Sequence, residues 1–106
     1  MLQLNDYKVI REIHKVFETM VPAGLEEMKQ SAIKEDWKTV FELAHKLKSS
    51  LGIIQVKDLF SKMTSIEANA RSHQQLSGIL PMINESIAAY YHVAPMIKME
   101  IEKEVV

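Results

Sequence analysis

The chain has 106 residues, a formal net charge of -1 with acidic and basic residues interspersed, and no cysteine. That size predicts one compact domain over residues 1–106, able to bury roughly two-thirds of its unfolded surface. The charge balance argues against a nucleic-acid partner, and the lack of cysteine excludes disulfides, thiolate catalysis and cysteine metal sites and suits a reducing compartment.

Met1–Asp6 carry no apolar signal region, and no run approaches the ~18 apolar residues of a membrane span, so no direct membrane insertion is expected. Only three glycines and three prolines interrupt a strong helical periodicity, which makes the chain all-α. A first helix is expected from about Leu4 to Met20, with Tyr7, Ile10, Ile13 and Phe17 on one face. Pro22-Ala23-Gly24 should interrupt it, and a second helix follows from about Gly24 to Lys34, using Leu25, Met28, Ala32 and Ile33.

Asp36 is a good N-cap, because its carboxylate can accept an orphan backbone N–H. The third helix carries Trp37, Val40, Phe41, Ala44, Leu47, Leu51 and Ile54 as an amphipathic stripe. After a turn near Gln55, a fourth helix runs to about Arg71 with Val56, Leu59, Phe60, Met63, Ile66 and Ala70 inward. Ser72–Ser77 reads as a loop or frayed start. A long last helix ends near Glu104, with Pro81 in its first turn or at a kink and Pro95 kinking or breaking it. Short connections favour antiparallel neighbours, so the expected architecture is an up-down antiparallel four-helix bundle with an additional N-terminal or accessory helix. The seven methionines read as core filler and Trp37 as a core anchor.

The most informative stretch is Ala44-His45-Lys46-Leu47-Lys48-Ser49-Ser50. On a helical wheel His45 falls roughly 120° from the centre of the apolar stripe, at the edge of the buried face. Lys48 and Ser49 lie three and four residues on and flank the ring; Lys48 can rest its stem on apolar surface while its ammonium reaches outward. Gly52 lies a further turn along. On the next helix Glu67 falls on the apolar stripe, where a carboxylate needs a partner. If the two helices form a hairpin turning near Gln55, His45 and Glu67 differ in height by only about 3 Å at ~1.5 Å rise per residue. Arg71 sits one turn beyond Glu67.

A neutral imidazole is a competent nucleophile near physiological pH. If Nε2 attacks a phosphoryl donor, an acceptor on Nδ1–H fixes the tautomer, and Glu67 is the candidate. Phosphoryl transfer spreads negative charge that cations stabilise; Lys48 is the first source and Arg71 the second. Small residues at Ser49 and Gly52 leave room for a partner's loops. No glycine-rich phosphate loop is present, so the phosphate must arrive from another protein and leave to another.

These residues resemble the histidine phosphotransfer (HPt) domain of multistep two-component phosphorelays, whose motif is approximately Ala-His-x-Leu-Lys-Gly-Ser/Ala followed by a helical hairpin. Ala44, His45, Leu47, Lys48 and Ser50 match, and Glu67 and Arg71 fall where the family carries polar residues near the phosphohistidine. Ser49 departs from the usual glycine, and Gln55 stands where a glycine often precedes the hairpin. The resemblance implies a four-helix phosphocarrier, not a kinase, that accepts a phosphoryl group on His45 from a receiver-domain aspartate and passes it to another receiver. It implies no cofactor beyond covalent phosphate on His45. The implied partners are response-regulator receiver domains and a hybrid sensor histidine kinase. A monomer is expected by the same analogy, in the cytoplasm, free or as the cytoplasmic module of a membrane-anchored sensor kinase.

Two other readings bear on the same residues. Glu42-Leu43-Ala44-His45 is a Glu-x-x-His, the pattern of di-iron bundles, but such sites need a second copy and two more inward carboxylates, and the chain has no second Glu-x-x-His. A helical adaptor binding a receiver or partner helix without phosphate would not need an exposed imidazole beside a lysine. His14, His73 and His92 lack the context of His45 and read as surface or boundary residues, and Glu67–Arg71 as an i,i+4 pair is worth only about 0.2–0.5 kcal/mol.

Overall fold

The computed structural model describes residues 7–54 and 56–105, with side chains over 11–52 and 56–99. The described chain forms four helices, α1 (Tyr7–Ile33), α2 (Trp37–Ile54), α3 (Lys57–Ser72) and α4 (Leu76–Val105), with no strand among the described residues. Each helix packs on two neighbours, α1 and α3 both lying between α2 and α4. This is the expected up-down bundle. The Leu4 start, the side chains of Tyr7, Ile10 and Ile54, and the turn at Gln55 lie outside the described residues.

The expected break at Pro22 is absent: the first and second predicted helices are one, and the additional helix is the N-terminal part of α1. A proline inside a helix lacks the N–H that would bond the carbonyl four residues back, here that of Glu18. Tyr90, 3 % exposed on α4, supplies the missing donor: its hydroxyl reaches the Glu18 carbonyl at 3.3 Å and that of Phe17 at 3.1 Å. The Phe17 and Tyr90 rings pack at 5.0 Å beneath it. Burial pushes the Tyr90 hydroxyl above its ordinary pKa, so it remains a donor. Pro95 likewise lies inside a continuous α4, and Pro81 sits in that helix's second turn.

The connections between α1 and α2 and between α3 and α4 are short and capped by their own residues. Glu35 adopts a left-handed conformation (φ 59°), and the amides of Glu35 and Asp36 bond the carbonyls of Ala32 and Ser31. That is a helix stop usually given to glycine. Asp36 then starts α2: its carboxylate accepts the Thr39 amide at 3.3 Å and the Thr39 hydroxyl at 2.6 Å. The Thr39 hydroxyl, then its amide, hold the Asp36 carboxyl below the ordinary range. His73 ends α3 in a left-handed conformation (φ 54°), its amide bonded to the Asn69 carbonyl. Its role is a helix stop at the surface.

The core is built from the predicted stripes: Phe17, Val21, Leu25 and Met28 from α1, Val40, Ala44, Leu47 and Leu51 from α2, Leu59, Met63 and Ile66 from α3, with Ile79, Ile83 and Tyr90 from α4. Gly24 lets α1 approach α2 closely, since a Cβ there would stand 3.0 Å from Leu47 Cδ2. Some assignments move outward. Trp37 and Phe41 are only partly buried, and Ile33 and Phe60 are exposed. Met28 and Met63 fill the core as expected, but Met20, Met96 and Met99 lie on the surface.

Candidate functional site

The close packing of α2 on α3 sets the height of two stripe-edge residues. His45 projects from α2 with 65 % of its side chain exposed, and Glu67 faces it from α3 with only 13 % exposed. His45 Nδ1 and Glu67 Oε2 are 2.5 Å apart. Lys48, one turn after His45, donates its ammonium to Glu67 Oε1 at 2.8 Å. Each oxygen of one carboxylate thus has its own partner, and both partners come from α2. The Lys48 ammonium holds the Glu67 carboxyl below its ordinary pKa, burial opposes this, and the hydrogen bond from His45 adds to the lowering. A carboxylate shielded from water at the stripe edge is satisfied by this pair.

Because Nδ1 is engaged by Glu67, Nε2 is the ring nitrogen left to solvent. The Phe41 ring stacks against the imidazole, with centroids 6.2 Å apart and planes at 24°. Together these contacts fix ring position and plane from two sides while one nitrogen stays accessible.

The other site candidates fall into place around this core. Ser49 is exposed, with its hydroxyl 3.4 Å from the His45 carbonyl, a back-bond along its own helix. Gly52 is exposed, but the space beside it is taken by Phe60: a Cβ would sit 3.4 Å from Phe60 Cε2. Leu51, Gly52, Val56, Lys57 and Phe60 line a shallow apolar cavity of about 280 Å³ there. Arg71 is exposed and makes no ion pair within 4.0 Å among the described residues. Glu67 turns to His45 and Lys48 instead of pairing with Arg71 four residues on. Two contacts escaped the sequence reading. The Phe41–His45 stack was legible as an i,i+4 pair, and the Lys48–Glu67 pair follows from the same hairpin register that set His45 opposite Glu67.

Among the described residues no group of three or more His, Cys, Asp or Glu side chains is arranged to hold a metal, and no helix is long and apolar enough to cross a membrane.

The four-helix bundle thus presents one accessible imidazole nitrogen, with the other held by a carboxylate and a lysine one turn away. The family model of the Hpt domain matches residues 12–91, and the chain belongs to that family. Hpt domains carry histidine phosphotransfer in phosphorelay signalling, act as phosphocarriers and interact with receiver domains. No curated protein and no solved structure matches the chain.

Proposed function

We propose that His45 is the phosphoryl-carrying residue, accepting phosphate from a receiver-domain aspartate and passing it to a second receiver. The observation that carries this reading is the exposed Nε2 of a ring whose Nδ1 is held by Glu67. That hydrogen bond favours the tautomer with its lone pair on Nε2, the form that can attack phosphorus. Lys48 lies one turn from the ring and offers the cation that offsets charge on the transferring group. Arg71, exposed on the same face of α3, is placed for contact with an incoming partner more than for contact with the ring.

Charge supports a receiver as partner. α2 and α3 together carry six lysines and arginines against three carboxylates, in a chain whose net charge is -1. A receiver's aspartyl phosphate is anionic, and a cationic face steers its approach. A hybrid sensor kinase is the natural bearer of the donor receiver, and covalent phosphate is the only group the site needs.

The test is transfer of labelled phosphate from a phosphorylated receiver domain to the chain. Label should appear on it, acid-labile and base-stable. Transfer that persists in His45→Gln would reject the assignment.

A further inference from the structure

The contact between Glu67 and the His45 ring constrains the phosphorylated state as well as the free one. When Nε2 attacks an aspartyl phosphate, its lone pair forms the N–P bond, the P–O bond to the aspartate breaks, and the aspartate leaves as a carboxylate. The ring, neutral before the step, then carries a positive charge with its proton still on Nδ1. An imidazole in water titrates near neutrality, so an unsupported ring would shed that proton. Here shedding it would leave the Nδ1 lone pair facing a carboxylate oxygen 2.5 Å away, with no hydrogen between two acceptors. Glu67 has little water to turn to, and its other oxygen is committed to Lys48 at 2.8 Å.

We infer that Glu67 keeps the Nδ1 proton on the ring throughout the transfer cycle, so that phosphorylated His45 stays a phosphoimidazolium primed to give up its phosphoryl group. The inference rests on His45 being the phosphoryl carrier. On the outward step the second aspartate's carboxylate attacks phosphorus, the Nε2–P bond breaks, and its electron pair returns to Nε2. The leaving group is then a neutral imidazole with Nδ1–H in place, and no proton enters or leaves the site in either direction. A ring that had lost its proton would have to depart as an anion, a far poorer leaving group. Glu67 acts here through the ring, as a positioning and proton-holding residue. The charged groups in contact with the pair are Lys48 from α2 and Glu67 itself from α3. Among the described residues, no charged side chain of α1 or α4 pairs with any of the three.

The test follows the ¹⁵N resonance of Nδ1 in the histidine-labelled chain, before and after phosphorylation by a phospho-receiver or by phosphoramidate, as pH is raised from 6 to 9. Phosphoryl transfer to a fresh receiver is timed over the same range. In the wild type Nδ1 should stay protonated and the transfer rate should be flat. In Glu67→Gln the phosphorylated ring should lose its proton across neutrality, and transfer should slow by up to about tenfold per pH unit above that point. Lys48→Gln should slow transfer yet leave the Nδ1 proton in place, which separates proton holding from general electrostatics. A wild-type phosphorylated ring that titrates as the Glu67→Gln ring does would overturn this inference alone. A folded chain that takes no phosphate from either donor would overturn the phosphocarrier reading, and this inference with it.

Discussion

The α2–α3 hairpin and the α1–α4 pair each place a hydrogen-bonding side chain across a helix interface, to opposite ends. On the hairpin, Glu67 gathers His45 and Lys48 at the rim, and one ring nitrogen stays open to solvent. Between α1 and α4, the Tyr90 hydroxyl is sealed inside and spent on the Phe17 carbonyl and on the Glu18 carbonyl that Pro22 leaves short of a donor. The first arrangement holds an unused valence outward, where it can react. The second uses up a valence that would otherwise be a buried defect. Polar groups at a helix interface therefore serve chemistry or architecture according to which side of the seal they lie on.

This contrast predicts a double dissociation. His45→Gln should reduce phosphoryl transfer to background while changing stability by no more than about 0.5 kcal/mol, as for other exposed substitutions; labelled transfer and thermal melting measure the two sides. Tyr90→Phe should do the reverse. It leaves the Glu18 carbonyl unpaired at a cost of about 1–3 kcal/mol, lowering the melting temperature by roughly 4–8 °C per kcal/mol for a domain of this size, with transfer retained. The cost should shrink when Pro22→Ala is present, because alanine returns the N–H that Glu18 lacks; a double-mutant cycle by denaturant titration reads the coupling. A full-sized Tyr90→Phe penalty in the Pro22→Ala background would break the repair argument.

Smaller effects sharpen the same division. Lys48→Ala should slow transfer about tenfold, an activation cost near 1.4 kcal/mol, with little loss of helix content by circular dichroism. Glu67 has a lowered pKa in the folded chain, so its contribution to stability is present above the ordinary carboxylate range and is lost as pH falls through the depressed value. Glu67→Gln should flatten that acid limb in melts taken below about pH 4.5. Glu35→Gly should raise stability by about 0.5–1 kcal/mol, since a left-handed helix stop suits glycine better than a residue with a Cβ.

Most of the bundle was legible because periodicity reports which face of a helix is buried. The stripes through Val40, Ala44, Leu47 and Leu51 and through Leu59, Met63 and Ile66 reappear in the core. So did the Asp36 cap, a local rule with a local cause. Pro22 misled because its effect was decided by a tyrosine 68 positions away, and no local pattern announces such a partner. At the site, the near-equal heights of His45 and Glu67 followed from counting residues back from the hairpin turn. The choice of Glu67 between Arg71 on its own helix and Lys48 across the interface depended on side-chain reach, which a wheel does not measure. Phe60 shows a related limit: its stripe position is inward, yet it lies at the rim against Gly52.

The short connections between α1 and α2, α2 and α3, and α3 and α4 also bear on the order in which the molecule assembles. Three of its four helix contacts join elements adjacent in the chain, and only α1 against α4 closes across the full sequence. Contacts of that kind form quickly, since little loop entropy is lost before they are made. The hydrogen bond from Tyr90 to Phe17, spanning 73 residues, belongs to the slow closing step. Its removal should chiefly speed unfolding and leave the folding rate nearly untouched. The hairpin that bears His45 and Glu67 is built from contacts between neighbouring elements, and its ring is oriented by residues no more than 22 positions away.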